Sequence, residues 1–78
     1  MRLGFLGTGK MATALCNGLV DRKVWPAAEI CGADVAPQAR ETFEVATGAW
    51  TTDDTATMAA ESDVVIVAVK PLSVLTLA

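Results

Sequence analysis

Six consecutive residues, Gly7-Thr8-Gly9-Lys10-Met11-Ala12, spell G-x-G-x-x-A. Glycines at that spacing suit one kind of chemistry, the holding of phosphate groups by main chain. The first glycine permits a tight turn, the second lets backbone approach a pyrophosphate, and a small third residue, here Ala12, allows a helix to pack closely on a strand. Unpaired N–H groups at the helix start, together with the helix dipole, would then hold the phosphates. The motif alone is shared by many proteins, but a strand before it and a helix after it meet its structural condition. The competing reading is a plain βα turn in a flavodoxin-like fold; the context favours a dinucleotide site.

The other candidates are fewer. Asp34 stands at the end of a second apolar run, where a carboxylate can accept hydrogen bonds from both ribose hydroxyls of NAD and repel the 2′-phosphate of NADP. It reads equally well as a loop or helix-cap aspartate. Arg40 reads as a solvated surface residue, with contact to a 2′-phosphate as the alternative, so the preference leans only slightly to NAD. Lys10 and Lys70 could add charge near a ligand, and each also reads as an exposed lysine at the end of an element. Cys16 and Cys31 have neither a neighbouring His nor C-x-x-C spacing, so buried free thiols are expected. Trp25 and Trp50 read as packing residues near loops. The chain has no His, no metal-ligand set and no residue with the character of a general acid, so no catalytic residue is expected within it.

These groups need elements to position them. Leu3 to Leu6 form a short strand that stops at the glycine turn. Residues 10 to about 24 favour helix, with Met11, Ala12, Leu15 and Leu19 on one face; Gly18 inside it is tolerable if something packs closely there. Trp25-Pro26 closes that helix. Glu29 to Ala33 form a second strand, and Pro37 opens a second helix with Ala39, Phe43 and Ala46 on one face and Gly48 past its end. Ala49 to Thr51 suit a brief third strand, and Asp53 or Asp54 would cap an Ala-rich helix through about Glu61. Val64 to Val69 have no polar alternation, which fits a strand buried on both faces. Lys70-Pro71 ends it, and Ser73 to Ala78 suit the start of a fourth helix. The order βαβαβαβ predicts an α/β fold, a Rossmann-like doubly wound parallel sheet with strand order 3-2-1-4.

Composition bounds the rest. The chain has 78 residues, 53% hydrophobic and 19% charged, with net charge −3. That excludes disorder and low complexity, and the six scattered basic residues argue against nucleic-acid or anionic-membrane partners. No run is long enough to span a bilayer or act as a signal peptide, so a cytoplasmic protein is expected. A chain this short buries only about 60% of its unfolded surface, and an apolar fourth strand at a sheet edge is a hazard that native proteins cover. The sequence is therefore expected to be part of a longer one.

Two segments together resemble one family. Leu3 to Ala12 is similar to the G-F-I-G-x-G-x-M-A opening of pyrroline-5-carboxylate reductase, and Ser62 to Pro71 to its D-V-[VI]-x-x-A-V-K-P strand and loop; Thr51 to Asp54 sits where the family often has T-x-x-N. The A-V-K-P segment is the more discriminating. The resemblance implies reduction of 1-pyrroline-5-carboxylate, a small-molecule substrate, to L-proline with NADPH or NADH, in proline biosynthesis. It implies that Leu6, Gly7, Thr8, Gly9, Lys10 and Met11 hold the pyrophosphate and that Asp34 lies at the adenosine ribose. Ala68, Val69, Lys70 and Pro71 would run beside the nicotinamide. Asp54 departs from the family's asparagine, losing an amide donor and adding charge near a phosphorylated ligand. By the same resemblance residues 1–78 are the N-terminal portion of an NAD(P)-binding domain. The helical domain that forms homo-oligomers and contacts substrate would be absent, leaving this part alone inactive. The alternatives are a β-hydroxyacid dehydrogenase or F420-dependent NADP reductase type, and a non-catalytic nucleotide-binding module.

Overall fold

The computed structural model describes residues 1–68. Four strands, β1 (Leu3–Leu6), β2 (Ile30–Ala33), β3 (Trp50–Thr52) and β4 (Val64–Val67), alternate with three helices, α1 (Lys10–Asp21), α2 (Pro37–Thr47) and α3 (Thr55–Glu61). All strand pairs are parallel and the order is β3-β2-β1-β4, as the alternation of elements predicts. Leu3 pairs with both Ile30 and Val64, and Leu6 with both Ala33 and Val67, so the carboxyl ends of the three strands lie level. Among the described residues no helix is long and apolar enough to cross a membrane.

Alternation of side chains across the strands assigns the layers. Phe5 points to α2, where it meets Phe43 edge-on with ring centroids 6.0 Å apart. Gly4 points the other way: a Cβ there would run into the Met58 thioether and the Ser62 hydroxyl at the far end of α3. The core is built on the first of these faces, from Leu3, Phe5, Ala12, Cys16, Ile30 and Phe43, all buried. Gly48 ends α2 in the left-handed conformation, φ 76°, as its type suggests.

The structure corrects several expectations. α1 ends at Asp21 rather than near Val24, because Lys23 turns left-handed at φ 58° and the Val24 N–H folds back to the Leu19 carbonyl at 2.9 Å. Its inner face is Ala12 and Cys16, while Met11 is 57% and Leu15 44% exposed. Ala12 is the residue small enough to let the helix approach the sheet, and Cys16 follows it one turn later. Among the described residues nothing lies within 4 Å of where a Gly18 Cβ would stand. In α2 the buried residue of the last turn is Thr47, not Ala46; its hydroxyl donates to the Phe43 carbonyl and accepts the Ala49 N–H, which satisfies it without water. Strand β2 starts at Ile30, after a 3-10 turn over Ala27–Glu29, and β3 starts at Trp50, whose side chain is 68% exposed instead of packed.

The fourth strand departs furthest. Val64, Val65 and Val67 are 41%, 36% and 54% exposed, and only Ile66 packs against the core. Among the described residues β4 stands at the sheet edge and α3, seven residues long, packs on β1 and β2, which leaves the valines of β4 partly uncovered. Val69, Lys70, Pro71 and the expected fourth helix over 73–78 lie outside the described residues. Replacing Gly4 with Ala should destabilise the fold by about 1–3 kcal/mol, the usual cost of overpacking. A urea midpoint unchanged from wild type would show that α3 does not rest on that strand.

Candidate functional site

The turn after β1 is held from both sides. The Gly7 N–H donates to the Ala33 carbonyl at 2.8 Å, extending the ladder by one bond, and Gly7 then takes φ 98°, where a side chain is disfavoured. Thr8 is buried, 3% exposed, and both its N–H and its hydroxyl donate to Asp34 Oδ2 at 3.0 Å. Gly32 makes room for this: a Cβ there would sit 2.6 Å from the Thr8 methyl and 3.1 Å from the Phe43 ring.

Gly9 is the N-cap of α1, with no side chain capping it and no acidic residue in the first turn. The first intrahelical bond runs from the Thr13 N–H to the Gly9 carbonyl at 3.0 Å, so the N–H groups of Gly9, Lys10, Met11 and Ala12 have no partner within the helix. Among the described residues a Cβ on Gly9 would meet nothing within 4 Å, leaving the approach to those donors clear of them. The N-terminus of α3 is finished differently. There the Asp54 carboxylate accepts from the Thr57 N–H at 3.0 Å and the Thr57 hydroxyl at 2.7 Å, and these bonds hold its pKa below the usual carboxylate value. Asp54 thus caps its own helix, while among the described residues no side chain caps α1, the kind of terminus that suits an anion.

A cavity of about 290 Å³ lies beside the turn, lined by Leu6, Gly7, Ala33, Asp34, Thr55 and Val67. It opens at the carboxyl ends of β1, β2 and β4, where the chain order reverses, and that switch point is where open parallel sheets bind ligands. Ala68 continues β4 toward it, its N–H donating to the Leu6 carbonyl at 2.8 Å. A larger groove of about 530 Å³ runs between α1 and α2, touching Thr8, Gly9, Lys10 and Gln38, on the outer side of the same turn. Leu6 is half-buried, and Lys10 and Met11 are exposed. Thr55, Val67 and the Thr8–Asp34 contact were not legible beforehand; Gly32, a glycine inside a strand, is the one signal of a close approach there.

Asp34 does more than end β2. Its Oδ1 accepts the Ala36 N–H at 3.0 Å, an Asx turn that starts α2. Partial burial works to raise its pKa, but the bonds from Ala36 and Thr8 and the charge of Arg40 outweigh it, and the net shift is downward. Arg40 is not a free surface residue, since its Nη1 donates to the Asp34 carbonyl at 2.8 Å. Both cysteines are free, Cys16 buried and Cys31 half-buried, and burial pushes both thiols up, away from thiolate reactivity. Among the described residues no cluster could hold a metal ion.

Three similarities to known proteins bear on this site. Residues 2–78 match a family model described as NADP oxidoreductase, coenzyme F420-dependent. Over 70 residues the chain is 33% identical to a pyrroline-5-carboxylate reductase of Methanosarcina acetivorans, covering 90% of this chain and 26% of that protein. A solved pyrroline-5-carboxylate reductase from Coxiella burnetii superposes with a TM-score of 0.83 at 29% identity, covering 96% of this chain and 27% of that one. The chain thus spans about a quarter of the length of either relative.

The depressed pKa of Asp34 carries a stability signature. Its contribution is fully present above the ordinary value of 3.8 and is lost as pH falls through the lower folded value. An Asp34→Asn variant should therefore be less stable than wild type near neutrality, with the gap closing below about pH 4. A gap independent of pH in paired thermal melts would show that the carboxylate charge is not what the turn uses.

Proposed function

The chain belongs to the NADP oxidoreductase, coenzyme F420-dependent family, and on that premise we propose that it is the dinucleotide-binding part of an NAD(P)H-dependent reductase converting 1-pyrroline-5-carboxylate to L-proline. The observation that carries the cofactor half of this reading is the uncapped N-terminus of α1 beside a left-handed glycine at the switch point of the sheet. Both named relatives support the substrate half, since each is a pyrroline-5-carboxylate reductase.

In this reading the N–H groups of Lys10, Met11 and Ala12 orient the pyrophosphate, with Gly9 keeping the backbone accessible and Lys10 adding positive charge from the rim. Asp34 faces the adenosine ribose, and Arg40 fixes the loop that carries it. Ala68, with Val69, Lys70 and Pro71 after it, flanks the nicotinamide end. Asp54 acts indirectly, by setting the start of α3 against the cleft. Bound there, NADH or NADPH supplies the hydride that reduces the imine carbon. Residues outside this chain would bring the substrate carboxylate, the proton for the ring nitrogen and the contacts between subunits. The family description favours a second reading, a reductase of the same fold acting on another small substrate.

The Gly9→Val variant tests the cradle. No described residue crowds Gly9 and its φ of −77° suits any residue, so the variant should fold normally. It should bind dinucleotide at least about tenfold more weakly, a loss of about 1.4 kcal/mol, in a calorimetric titration. Unchanged affinity would remove the turn from the site. Turnover of pyrroline-5-carboxylate by the chain in its longer protein separates the two substrate readings, and inertness there would defeat the first.

A further inference from the structure

A carboxylate has about four lone-pair positions, and on Asp34 three are in use. Oδ2 accepts from the Thr8 N–H and hydroxyl, and Oδ1 accepts from the Ala36 N–H, all at 3.0 Å. Donors on both oxygens fix the rotation of the group, one position on Oδ1 has no partner among the described residues, and Asp34 lines the cleft. A single acceptor fits one hydroxyl, not a pair. A phosphate brings further acceptors and like charge to the same point, and like-charge juxtaposition is strongly unfavourable. Arg40, the cation beside Asp34, is directed to its carbonyl oxygen and adds its charge to the carboxylate's support.

The Thr8 N–H, which the resemblance assigns to the pyrophosphate, is spent on a side chain 26 residues away. Thr8 reaches it only because Gly32 has no side chain. We propose that Thr8 is a positioning residue for cofactor choice: by fastening Asp34 it leaves one acceptor for the 2′-hydroxyl of the adenosine ribose, and the site thereby favours NADH over NADPH. This rests on the dinucleotide reading above.

The test is titration of the full chain with NADH and with NADPH, for wild type and for Thr8→Val, Thr8→Ser and Asp34→Asn, each checked for folding by circular dichroism. Wild type should bind NADH at least about tenfold more tightly than NADPH. The ratio should collapse toward unity in D34N and fall severalfold in T8V, while T8S, which keeps the hydroxyl, retains it. A merely structural Thr8 would instead weaken both cofactors equally in T8V and leave the ratio alone, which overturns the proposal. Should T8V not fold, a D34N ratio equal to that of wild type overturns it as well. Equal wild-type affinities for the two cofactors defeat the selectivity and leave the dinucleotide site standing, whereas failure to bind either removes both.

Discussion

The bond between Asp34 and Thr8 joins the turn after β1 to the end of the neighbouring strand, and much of the site follows from it. The bond exists because the parallel register brings Leu6 level with Ala33, so the residues just beyond each strand face one another. It needs the missing side chain at Gly32, and it needs the Gly7 backbone to turn left-handed so that Thr8 points inward. With Thr8 turned in, Gly9 and the first turn of α1 are presented outward. A carboxylate buried only in part and met by several donors is stable as an anion, which makes this latch a fixed charge at the rim of the cleft.

The two faces of the sheet are furnished unequally. On one, α1 and α2 close over Phe5, Ile30 and Phe43 and form nearly all of the core. On the other, α3 contributes one buried side chain, Met58. The helices differ at their starts too. α3 has an aspartate cap of its own, whereas α1, the better packed, begins on a glycine with no cap. Capping contributes to stability, and α1 forgoes it at the terminus that follows the glycine turn.

The order of elements and of strands was legible because it rests on signals that tertiary contacts do not override: glycine and proline punctuation, and the handedness of parallel crossovers. Faces were less legible. Periodicity gave Met11 and Leu15 the same standing as Ala12, yet the sheet takes the smallest residue, since close approach outranks hydrophobicity at a βα turn. Thr47 is harder to read than Ala46, because a hydroxyl looks unsuited to a core until its local carbonyl partner is seen. The uninterrupted apolar run at Val64 to Val67 spoke of burial on both faces, but burial depends on what neighbours a strand. Asp34 stood out by position, whereas its partner did not, because no local pattern links residues so far apart in sequence.

The placement of β1 gives the sheet an order of assembly. β1 is made first, and its pairing with β2 closes over a shorter stretch of chain than its pairing with β4. The other edge of β1 waits for β4, whose register begins at Leu3 with Val64 and is flanked by the Arg2 N–H on the Asp63 carboxylate. During synthesis, therefore, every residue of the glycine turn and its latch emerges before those of the opposite wall of the cleft. Among the described strands, the cleft lies along the seam completed by the last one made.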